Sequence, residues 1–158
     1  MSGFTAAGIS HTLISTDQQA PLGFKMSVPS SNDGIAVYTY VKAAAEIAAG
    51  ISCARGAVAA KAGYGAVIVA TSAMADTRYV GVAQATIASA SYGFVLTKGI
   101  GNAKVNSESA ISDELVMHSA NGELDDAAGT VTNGPVGNVL GTLIAAAGTG
   151  AVYVDFAG

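Results

Sequence analysis

Residues 80–98 read VGVAQATIASASYGFVLTK, and residues 136–155 read VGNVLGTLIAAAGTGAVYVD. Both passages open on Val-Gly, run through an apolar stretch and an Ala/Ser-rich tip, and resume as an apolar strand after Gly93 or Gly150. One inserted residue in the second passage brings the two into register. Each reads as strand, turn, strand, with the turn built from the smallest side chains. Neither contains anything that resembles a reaction centre. A repeated β-rich building block points to a structural role.

The remainder of the chain follows the same pattern. Pro21-Leu22-Gly23 makes a turn, because proline fixes φ and glycine accepts a positive one. Phe24–Val28 alternates as a strand. Pro29–Gly34 is a run of turn formers ending in Asp-Gly, a hairpin signal. Ile35–Lys42 (IAVYTYVK) is rich in β-branched and aromatic residues and completes the hairpin.

Ala43–Ala49 is too short to hold a helix alone and is expected to be a turn or a single helical turn. Ile51–Val58 and Gly65–Ala70 supply further strands. Gly99–Asn102 is expected to turn the chain before a short strand at Ala103–Val105. Leu115–Ser119 leads into a second hairpin signal, Asn121-Gly122, followed by an acidic turn or helical turn over Glu123–Gly129. Strands at such short spacing, with no long amphipathic helix, predict an all-β fold. We expect a small antiparallel β-sandwich or barrel, in one lobe or two, over residues 17–158. An extended N-terminal arm precedes it at 1–16. Phe4, Ile9, Leu13 and Ile14 are that arm's candidate anchors on a neighbouring molecule.

Composition narrows the function. Charged residues make up 11% of the 158-residue chain and apolar ones 51%, with 20 glycines. A typical soluble domain carries about 25% charged residues. Such a low-charge, small-residue surface suits a protein packed against copies of itself. The net charge is −4, and the seven basic residues are scattered singly. No basic stripe offers the phosphate contacts that direct nucleic-acid binding requires. No stretch of eighteen apolar residues suggests a membrane span, and the N-terminus lacks the features of a secretory signal. Cys53 is the only cysteine, so no intrachain disulfide forms.

Catalytic patterns are weak. His11 and His118 are the only histidines, and neither lies near a nucleophile motif. His11, His118 and Cys53 are too widely separated for a zinc spacing, and the acids at 113–114 and 123–126 do not follow a calcium loop. The Gly-Tyr-Gly at 63–65 fits no nucleotide fingerprint. We therefore expect no enzyme, no cofactor and no metal. The rival from another class is a small β-barrel enzyme or ligand-binding module using His118, the acidic residues at 123–126 or Cys53.

One resemblance extends over most of residues 17–156. Its motifs are Asp17-Gln-Gln-Ala-Pro-Leu-Gly-Phe-Lys, Tyr38-Thr-Tyr-Val-Lys-Ala and Ile47-Ala-Ala-Gly, then Val-Gly-Val-Ala at 80–83 and Tyr-Gly-Phe-Val at 92–95. A Leu-Val…Gly-Glu-Leu passage at 115–124 and the final strand at 136–154 complete it. In this order of motifs the chain resembles small β-rich capsid decoration, or cement, proteins of tailed bacteriophages. That resemblance implies a virion protein on the capsid exterior that stabilises the expanded head. Its implied partners are the major capsid protein and further copies of itself, commonly as a homotrimer. A head fibre, turret or minor tail component is the alternative within the virion.

Overall fold

Residues 25–30 alternate between exposed and buried side chains, as one strand of a hairpin whose partner, 34–42, is buried from Thr39 to Val41. In a computed structural model, every residue is described except 1–4, 7, 31–33, 57–62, 76–77, 107, 119–120, 127–133, 143 and 157–158. Two short strands, β1 (Thr5–Ala6) and β2 (Ile9–Ser10), pair with each other. The hairpin is β3 (Lys25–Ser30) on β4 (Gly34–Lys42), in register from Ser30↔Gly34 to Lys25↔Thr39. Gly34 takes φ +90°, which accounts for glycine at the turn exit.

Eight strands fall on or near the segments expected from sequence: β5 (Ser52–Arg55), β6 (Val67–Val69), β7 (Tyr79–Ala83), β9 (Glu114–Met117), β11 (Gly137–Val139), β12 (Thr149–Asp155) and both strands of the β3–β4 hairpin. Two elements differ. Gly99–Asn102 is no turn. Residues 92–104 form one 13-residue strand, β8 (Tyr92–Lys104), with Gly99 at φ +117° inside it. A glycine within a strand marks a bend or a close approach. Here a Cβ on Gly99 would lie 3.0 Å from the Ala36 Cα of β4. The acidic stretch is not a solvated turn either, since Leu124–Asp126 is strand β10. Glu123 beside it is 8% exposed, and its carboxylate sits 2.7 Å from the Lys104 ammonium.

Strands β3 to β12 form one ten-stranded antiparallel sheet that curls into a half-barrel, so the fold is all-β. Its pairings fall into two equivalent five-strand circuits. In the first, β6 pairs β5, β5 pairs β7, β7 pairs the first half of β8, and β8 pairs β4. A parallel bridge, Ala43↔Val67, closes the circuit, with Ala44 N donating to Val67 O at 2.9 Å. In the second, β10 pairs β9, β9 pairs β11, β11 pairs β12, and β12 pairs the second half of β8. The parallel bridge Val105↔Leu124 closes it, with Asn106 N donating to Leu124 O at 2.7 Å. Strand β8 thus ends one lobe and begins the next.

Each circuit contains two copies of one tight turn. Its bridge residue is Ile47, Ile87, Ser109 or Ile144. The third residue after the bridge is left-handed in every copy: Gly50 (φ 80°), Ala90 (63°), Ser112 (70°) and Ala147 (55°). An i→i+3 hydrogen bond closes each, from Ile51, Ser91, Asp113 and Gly148 N to Ala48, Ala88, Ala110 and Ala145 O. The turns meet in pairs. Ile47 and Ile87 exchange both backbone hydrogen bonds, as do Ser109 and Ile144.

The core is continuous through both lobes. One cluster joins Val82 and Leu96 to Leu115, Leu124 and Val152, and a second fills the first lobe around Val41, Ile47, Val67 and Val95. The Val-Gly that opens each sequence repeat is a close-packing device. A Cβ on Gly81 would run into the Leu96 carbonyl oxygen, and one on Gly137 into that of Tyr153.

Candidate assembly surface

Tyr38 and Tyr40 on β4 and Tyr92 and Phe94 on β8 occur two residues apart, and that period puts each pair on one face of its strand. Tyr40 and Tyr92 stack with ring centroids 6.0 Å apart, and Tyr40 meets Phe94 at 4.9 Å. Met26, Val28 and Phe24 extend this aromatic face across β3. An apolar face of this size needs a cover, and the N-terminal segment supplies it.

The described part of the arm lies on the chain's own sheet. Ser15 N donates to Tyr92 O at 3.0 Å and Tyr92 N to Ser15 O at 2.7 Å, which fixes the segment to the start of β8. Ile9 is half-buried and packs on the aromatic cluster. Leu13 is half-buried too, while Ile14 is 40% exposed. A Cβ on Gly93 would crowd Ile87, whose Cδ1 would lie 3.0 Å away, and would meet the Ile14 Cγ1 at an ordinary 3.6 Å. His11 rests on Tyr38 with ring centroids 4.8 Å apart. Of the expected anchors, Phe4 lies outside the described residues. After an exposed run at 16–19 the chain is fastened again, by Gln19 N on Tyr40 Oη at 2.9 Å and by buried Ala20.

Two further exposed apolar side chains are not signalled by the sequence pattern. Ile35, at the β3–β4 hairpin, is 65% exposed, and Ile111, on a tight turn of the second lobe, is 58% exposed. The other turn tips are methyl-sized: Ala44, Ala45, Ala48, Ala49, Ala88 and Ala90 in the first lobe and Ala145–Ala147 in the second are exposed. Surfaces this low in relief and charge permit close approach of another protein with little side-chain entropy to lose.

The residues of the rival chemical reading have separate surroundings. Cys53 is fully buried on β5, donates to the Gly81 carbonyl at 3.3 Å, and its thiol is pushed up to about 12 by burial. It is an inert packing residue, not a thiolate nucleophile. His118 directly follows β9 in the second lobe, with Nε2 4.0 Å from the Asp125 carboxylate of β10. His11 lies on the arm against the first lobe, with its pKa lowered by burial. Among the described residues, no three His, Cys, Asp or Glu side chains gather into a metal site. Nor does any described helix have the length and apolarity to cross a membrane.

No protein-family model matches the chain, and no curated protein matches it in sequence. A solved structure does match in fold: the N base of head fiber gp8.5 in bacteriophage phi29. The TM-score is 0.55 at 12% identity, with 76% of this chain and 94% of that one covered. The β architecture described above is therefore one that a bacteriophage virion component also uses.

Proposed function

We propose that this chain is a structural protein of a tailed-bacteriophage virion. It binds the outer surface of the capsid as a symmetric oligomer and stabilises the expanded head, with the major capsid protein as its partner. The observation that carries this reading is the fold shared with a phage head-fibre base. Low charge, methyl-lined turn tips and dispersed bases support it, since they suit protein contacts over nucleic-acid or metal chemistry. The role asks for no catalysis and no cofactor. On a shell with many identical sites, multivalent engagement turns modest contacts into lasting attachment.

The same fold match favours a second reading, the base of a head fibre, present in fewer copies on the same exterior. Adding purified protein to expanded heads that lack it tests the first reading. Saturable binding that raises the heat-disruption temperature of the heads is the expected result. Heads that neither bind the protein nor gain stability would contradict it.

A further inference from the structure

His11 holds an unusual position on the arm. Its ring lies tilted at 41° against Tyr38, and its Nδ1 is buried with no hydrogen-bond partner among the described residues. A cavity of about 140 Å³ lies beside it, lined by Leu13, Ile14, Tyr38, Gln84 and Phe94 among others. The segment that carries His11 is attached lightly. Between β2 and Ala20 its described backbone bonds to the sheet are the Ser15–Tyr92 pair and Gln19 N on Tyr40 Oη, and residues 16–19 are exposed. Beneath it lies the aromatic face of β3, β4 and β8.

We propose that residues 8–16 are a releasable strap, latched over that aromatic face by neutral His11 and freed when His11 takes a proton. A charged imidazolium placed against the Tyr38 ring and this cavity would lose hydration with no anion to replace it. The groups that face His11 come from β4, the residues after β7, β8 and the strap itself. Tyr38 on β4 is a phenol that burial pushes further up, so it stays neutral across the range concerned. Gln84, after β7, and Phe94, on β8, do not titrate, and neither do Thr12, Leu13 and Ile14 on the strap itself. Among the described residues, no carboxylate lines the cavity to stabilise the cation.

Burial lowers the pKa of docked His11, so docking favours the neutral form. The strap is held at full strength above the ordinary imidazole pKa of about 6.5. Its hold weakens as pH falls below that value, until the docked imidazole itself is protonated. Free, the strap uncovers the aromatic face beneath it.

Amide hydrogen exchange of the full chain at pH 7.5 and 5.0, corrected for intrinsic rates, tests this. The expected result is a severalfold loss of protection at pH 5.0 in residues 8–16, with β7 and the centre of β8 unchanged. The variants His11→Gln and His11→Phe, neutral at both pH values, should each abolish the pH dependence. Equal protection at the two pH values in the wild type would overturn the proposal. So would a pH response that persists in both variants, or one shared by the whole sheet.

Discussion

The four tight turns place a single conformational demand on four different residues. A left-handed backbone costs an L-residue about 1–2 kcal/mol and glycine almost nothing. Only Gly50 meets that demand with glycine, whereas Ala90, Ser112 and Ala147 carry the strain. Replacing Ala90 or Ala147 by glycine should therefore raise stability, by up to about 1 kcal/mol each once the added freedom of the unfolded chain is subtracted. The reverse change, Gly50→Ala, should lower it by about 1 kcal/mol or more, because its Cβ would also sit 3.3 Å from the Lys104 amide nitrogen. Denaturant midpoints at constant slope report both. A loss of stability in both glycine variants would contradict the turn assignment. None of this strain is legible in sequence, because Ala-Ala-Ala at 145–147 signals helix or nothing at all.

At the scale of the element, the sheet has one open edge among the described residues, that of β3. Every other strand of the large sheet has a neighbour or bridge on both sides. Tyr40 N donates to Phe24 O, so by alternation the amides of Met26, Val28 and Ser30 face β4. Positions 25, 27 and 29 then face outward, and there the sequence supplies Lys25 and Pro29. A charge and a missing donor are the usual protection of an exposed edge. The double variant Lys25→Thr, Pro29→Val should form larger species in analytical ultracentrifugation than wild type does at the same concentration. An unchanged sedimentation profile would show that the edge is protected by something else. Strands were well signalled in sequence wherever β-branched and aromatic residues alternate, as at IAVYTYVK. They were misread where glycines interrupt them. Gly99 and Gly101 look like a turn, yet they let β8 bend and continue under Ala36 and Leu96. Of the assembly surface, the 38/40 and 92/94 aromatic pairs were readable by their spacing. The face they form was not, because it joins residues more than fifty positions apart.

On the whole-molecule scale, β8 couples two copies of one architecture. The sequence repeat at 80–98 and 136–155 corresponds to β7–β8 and β11–β12, one half of each lobe. The other halves, 42–55 and 104–117, are equivalent in pairing but retain little more than Lys42/Lys104, Glu46/Glu108 and Ala48/Ala110. A turn needs its backbone geometry and one buried bridge residue, so most other side chains were free to diverge. Because the lobes share a strand and a core cluster, they should unfold together. Denaturant unfolding is expected to show one transition, and Gly99→Val should move it by about 2–4 kcal/mol without splitting it. Two separate transitions in the wild type would mean that β8 joins the lobes without coupling them.

Copy number tests a place in the virion. Quantitative mass spectrometry of purified virions gives the ratio of this chain to the major capsid subunit. A decoration protein that tiles the expanded head predicts a ratio near one. A handful of copies per particle would contradict tiling and leave the head-fibre base as the reading, and absence from the particle would contradict a virion role altogether.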